Sequence, residues 1–154
     1  SQINKVLKEC QTILKELDVL EKSDDVFRVE YCAQKDGGEI YWNKGVVIIE
    51  INNKTDYGLI GHELKHAYQF IQGEISFDHV TGGGGVLYDI SDEKKAFSRQ
   101  VYISSGIHYQ YEIDEYLKVL EVSYSNLNKK SCNIRTRNIL KTLYEKKDIY
   151  RIPK

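Results

Sequence analysis

The sequence predicts an α+β domain, and three observations carry that expectation. Apolar residues recur every three or four positions near the N-terminus, alternate every second position across the next segment, and return to helical spacing afterwards. The order is therefore helix, sheet, then mostly helices, with the two kinds of element segregated along the chain. At 154 residues the chain fits one domain with a core of ordinary size.

Residues 2–20 carry Ile3, Val6, Leu7, Cys10, Ile13, Leu14, Leu17 and Leu20 at helical spacing, with Lys and Glu on the other face. An amphipathic helix is predicted, and Cys10 on its stripe is expected to be a small buried hydrophobe. Ser23-Asp24-Asp25 break it. Val26 to Ala33 alternates Phe27, Val29, Tyr31 and Ala33 against Arg28 and Glu30; after the turn residues Asp36-Gly37-Gly38 come EIYWN and GVVIIEI, rich in β-branched and aromatic side chains. These predict a small antiparallel sheet of about three strands, whose last strand is expected along a substrate cleft, with Trp42 in the core or cleft wall. Thr55 or Asp56 is the expected N-cap of the next helix, which Gly73 closes as a left-handed residue. A loop with Thr81 and four glycines leads to GVLYDI, read as a short strand. Ser91 or Asp92 is the expected cap of a helix through DEKKAFSRQVYI, and further helices are predicted at about 110–126 and 132–147.

No apolar run is long enough for a membrane span, and the N-terminus lacks the basic-then-apolar layout of a secretion signal. The chain contains no methionine, so it is expected to be a piece of a longer polypeptide. Cys10, Cys32 and Cys132 form no C-x-x-C pair, which excludes a thiolate zinc knuckle and a redox motif and predicts free thiols. From Lys129 to Lys154 there are nine basic against two acidic residues, so the C-terminal end is basic and the remainder acidic. That end is a solvated helix face or a docking surface for an acidic partner or a phosphate backbone. The glycine run lacks the Lys-Ser/Thr of a phosphate cradle, and no nucleic acid is expected as partner.

GHELKHAYQF contains His62-Glu63-x-x-His66. On a helix, residues four apart share a face about 6 Å apart along the axis, so both imidazoles can aim at one ion. Glu63, one residue round, can reach a metal-activated water without ligating the metal. Lys65 and Tyr68 are read as the solvated and packed faces of this helix. A catalytic zinc needs a third protein ligand. The metzincin arrangement is excluded, because the required downstream positions hold Gln69 and Gln72. Asp78, His79, Asp89, Asp92, Glu93 and His108 remain as candidates, with Glu93 favoured for its place in the first turn of the following helix.

His62-Glu63-x-x-His66 followed by Asp92-Glu93-x-x-Ala96 resembles the gluzincin zinc peptidases, especially the compact minigluzincins, in which a small residue one turn after the ligand glutamate lets two helices pack closely. The run from GHELKHAYQF through LYDISDEKKAFSRQ is similar to zinc-peptidase domains at the C-termini of bacterial polymorphic toxins and Rhs-associated effectors. The likeness covers about Gly61 to Gln100, a quarter of the chain. It implies a zincin-like fold, with the sheet packed on the N-terminal and motif helices. It implies zinc held by His62, His66 and Glu93, Glu63 as general base, and Asp92 as supporting partner or rival ligand.

The reaction that follows is peptide-bond hydrolysis on a protein or peptide substrate, by a toxin domain of a larger bacterial protein delivered to a target cell and met by a cognate immunity protein. Two rival readings are a regulatory protease that cleaves a repressor, and a non-catalytic binding module with a structural ion or none. Tyr88, Arg99, Tyr102 and His108 are candidate oxyanion donors, with none singled out.

Overall fold

A computed structural model of the chain describes residues 2–78, 85–87 and 90–105, with isolated positions between 114 and 146. Its elements are α1 (Gln2–Lys22), β1 (Val26–Tyr31), β2 (Gly38–Asn43), β3 (Val46–Ile51), α2 (Tyr57–Gln72), β4 (Ile75–Phe77), β5 (Gly85–Leu87) and α3 (Ile90–Ser105). The predicted α+β order is the observed one. Most of the expected segments at 110–126 and 132–147, and Cys132, lie outside the described residues.

Five of the six residues of VVIIEI are apolar, and a strand apolar on both faces must be covered on both. It is buried from Val47 to Ile51 and takes the centre of a three-stranded sheet ordered β1-β3-β2. This corrects the expected all-antiparallel sheet: β2 pairs antiparallel with β3, but β1 runs parallel to it, from Val26 opposite Val46 to Tyr31 opposite Ile51. The polar-alternating β1, with Val26, Val29 and Tyr31 exposed, serves as an edge. A second, two-stranded sheet pairs β4 with β5; β4 falls where a loop was expected, and all three of its residues are buried.

One face of the larger sheet packs on α2. Ile40, Val47 and Ile49 meet Ala67 and Phe70, with Leu20, Ile75 and Phe77 completing the core and Trp42 half-buried against it. Asp56 caps α2, accepting the Leu59 N–H at 3.0 Å, and Gly73 closes it at φ 74°, where a side chain would be strained. Helix α3 starts at Ile90, so Ser91 and Asp92 lie inside its first turn rather than at the N-cap position.

The orientation of α1 is the largest departure from expectation. Leu20 is buried, but Ile3, Leu7, Cys10 and Leu14 are exposed, while Glu16 is only 6% exposed. The reason is electrostatic. Arg99 of α3, 1% exposed, lies 2.6 Å from both Glu9 and Glu16, and Lys65 of α2 lies 2.8 Å from Glu16. Two cations taken out of water need carboxylates, and α1 turns its acidic side inward to supply them. Lys65 is accordingly half-buried and paired rather than solvated, with its ammonium 5.3 Å from the Tyr68 ring. Among the described residues no helix is long and apolar enough to cross a membrane.

Candidate metal centre

Four-residue spacing on α2 brings His62 and His66 to one face, their Nε2 atoms 3.2 Å apart. Glu93, from the first turn of α3, places Oε1 3.3 Å from Nε2 of His66 and Oε2 3.6 Å from Nε2 of His62. A tetrahedral ion with ligand bonds of about 2.0–2.1 Å separates its ligand atoms by about 3.4 Å. The two rings stand near that spacing, each faces a different oxygen of the Glu93 carboxylate, and one ligand atom from each residue lies within 4.8 Å of the others. All three residues are buried, and among the described residues Oε2 of Glu93 has no hydrogen-bond partner. This His62–His66–Glu93 group could hold a metal ion.

The reach of Glu93 depends on how closely α3 approaches α2, and two glycines set that distance. A Cβ on Gly58 would lie 2.8 Å from the Gln100 carbonyl oxygen and overlap Ser104; one on Gly61 would lie 2.9 Å from Ile103 Cδ1. Ala96, one turn after Glu93, is fully buried, as its small size led one to expect. Compared with protein-family models, curated proteins and solved structures, the chain matches none. The functional reading therefore rests on the site itself.

Glu63 stands beside the cluster without joining it, Oε1 4.0 Å from Nε2 of His62. Burial chiefly, with the charges of Glu93 and Glu39, pushes its carboxyl up to about 7 against the pull of His66. Burial and the neighbouring His66 lower His62 to about 4, so its ring is neutral at neutral pH. For Glu93, burial opposes ionisation, but the hydrogen bond and charge of His66, with the charge of His62, hold its carboxyl below the ordinary value. The edge of β2 closes in on Glu63: a Cβ at Gly38 would come within 2.9 Å of Oε1. Thus β2, the edge strand opposite β1, lines the cleft in place of the central β3.

A cavity of about 510 Å³ opens onto these groups, walled by Ile40, Leu59, Ile75, Phe97 and Gln100. Phe97 sets its ring edge-on to His62 with centroids 4.4 Å apart, limiting how that imidazole can turn. Asp92 is buried in the same turn as Glu93 but outside the ligand cluster, as is the half-buried Asp78. His79, Asp89, His108 and Tyr88 lie outside the described residues. Arg99 points to α1 and is engaged by Glu9 and Glu16, and neither it nor Tyr102 lines the cavity. Sequence reading missed Gln69, Phe97 and the three close-approach glycines. Of these only Gly58 and Gly61 left a trace, a small-residue pair three apart on one helix.

Proposed function

We propose that the chain is a zinc-dependent endopeptidase of gluzincin type. The observation that carries the reading is the buried convergence of His62 Nε2, His66 Nε2 and the Glu93 carboxylate, one ligand atom from each within 4.8 Å of the others, with a fourth group, Glu63, close by but outside the set. Two imidazoles and one carboxylate suit zinc, and three protein ligands leave a position open. Zinc bound there supplies Lewis acidity, which acidifies water and polarises a substrate carbonyl.

The chain's own residues supply the rest. Glu63, held near neutrality by its surroundings, is placed to take a proton from the attacking water and return it to the leaving amine. A structural ion would have no use for such a group, which weighs against the binding-module reading. Among the described residues no strand is hydrogen-bonded to the outer side of β2, so an extended peptide could pair with it and lie across the cluster. Ile40, Leu59, Ile75 and Phe97 give the cavity an apolar wall beside the reacting bond. The resemblance around the motif supports a role as toxin domain of a larger bacterial protein, with an immunity protein as partner.

Elemental analysis tests the reading. Wild type should carry one zinc per chain, Glu93→Ala should lose it, and Glu63→Gln should keep it while losing peptide cleavage. A Glu93→Ala protein with full zinc content would refute the ligand set.

A further inference from the structure

Gln69 is fully buried, three residues beyond His66 on α2. Its carboxamide touches both helices that deliver the ligands: Oε1 lies 2.8 Å from Nδ1 of His66, and Nε2 lies 3.0 Å from the backbone carbonyl oxygen of Asp92, the residue before Glu93. The chemistry of these contacts orders them in one direction only. A backbone carbonyl can only accept, so the Gln69 atom facing Asp92 must be the amide nitrogen. The atom facing His66 is then the carbonyl oxygen, which can also only accept. Nδ1 of His66 must therefore carry a proton, and in the neutral ring that leaves the Nε2 lone pair free, on the side of His62 and Glu93.

We propose that Gln69 is a positioning residue for the metal centre: one carboxamide fixes His66 in the ligating tautomer and ties the first turn of α3, which carries Glu93, to α2. The inference rests on the zinc reading above and adds a requirement to it. Leucine in this place would leave the Nδ1–H of His66 without its acceptor in a dry interior and would remove the tie to the Asp92 carbonyl. Asparagine is one methylene too short to span the two contacts. The side chain that rules out a metzincin-type motif thus has its own task, joining two ligands that come from different helices.

The test uses the full chain loaded with zinc or cobalt(II). Wild type should show a slowly exchanging Nδ1–H on His66 in histidine-selective nitrogen NMR. Gln69→Leu should lose that resonance and bind zinc about 10- to 100-fold more weakly in chelator competition, as loss of an outer partner does elsewhere. Gln69→Glu keeps the acceptor for His66 but loses the amide donor to the Asp92 carbonyl, so it should recover the resonance and only part of the affinity. Equal zinc affinity in wild type and both variants overturns the proposal while leaving the centre intact. So does a zinc-loaded wild type without the protected proton, a result that needs no variant and stands even if Gln69→Leu fails to fold. A wild type that takes up neither ion removes the metal centre itself and the proposal with it.

Discussion

Helix α3 meets its two helical neighbours in opposite ways. Against α2 it packs onto Gly58 and Gly61, where even a methyl group would strike the Gln100 carbonyl oxygen or the Ile103 side chain. Against α1 it presents the guanidinium of Arg99, reaching Glu9 and Glu16 through long side chains. The first contact has no slack, because hard-core repulsion is steep, and it fixes the position of Glu93. The second can be met over a range of helix positions, because long charged side chains adjust. Ligand geometry is thus set by the α2–α3 contact, whereas α1 supplies stability from behind. Each contact can be broken separately.

The largest effect is expected at the charged contact. Arg99→Leu leaves Glu9 and the buried Glu16 without their guanidinium, a loss of about 3–5 kcal/mol when one partner of a buried pair is removed. Chemical denaturation should show that loss, partly recovered in Arg99→Leu/Glu16→Leu, which removes both charges. Where the variant is still folded, its zinc affinity should change far less than in Gly58→Val, because leucine keeps an apolar stem where that of Arg99 passes Gly61. A collapse of zinc affinity in a folded Arg99→Leu would erase the distinction between the two contacts.

Next in size is the titration of Glu63 in metal-free protein. Its carboxyl keeps its proton to about 7 in the fold, against an ordinary value of 4.5, so the folded chain binds that proton more tightly than the unfolded chain does. The stability this gives is complete below pH 4.5 and is lost as the pH rises through 7. Glu63→Gln, which cannot ionise, should therefore be more stable than wild type at pH 8 by about 3 kcal/mol, and the gap should close toward pH 4.5. Paired unfolding curves in chelator at the two pH values measure it. A gap that fails to shrink on acidification would place the cost elsewhere.

At the close contact, Gly58→Val should cost about 1–3 kcal/mol of stability through overpacking. Its signature is different: zinc affinity should fall roughly tenfold or more even in folded protein, because a ligand displaced by an ångström no longer closes the set. Gly58→Val and Arg99→Leu then form a crossed pair, one reading out in metal binding, the other in unfolding.

The same contrast explains what the sequence revealed. His62, His66 and Glu63 were legible because they lie within one helical turn, where local geometry fixes side-chain direction. Glu93 was legible from its place in the first turn of a second helix, and Asp56 and Gly73 from cap chemistry. The β1–β3 pairing was not legible: period-2 patterning gives strands but not their order, and β1 and β3 pair across an intervening strand. Nor was the facing of α1. Periodicity names an apolar stripe, but which side turns inward is decided by Arg99 and Lys65, far away in the chain.

That last point yields the smallest effect and the sharpest check on the orientation of α1. Leu14 and Leu20 sit on the same helix and belong to the same apolar stripe in sequence, yet Leu14 is 67% exposed and Leu20 6%. Leu20→Ala opens a cavity in the core beside Val47 and Phe70 and should cost about 2–4 kcal/mol. Leu14→Ala trims a largely exposed side chain on the rim of an apolar cleft with Ile60 and Ile103, and alanine is the better helix former, so the change should lie within about 1 kcal/mol of zero. Urea unfolding of the two variants side by side separates the cases. Equal losses would mean that the apolar stripe faces a partner surface after all, and that the buried charges of Glu9, Glu16 and Arg99 do not set the rotation of the helix.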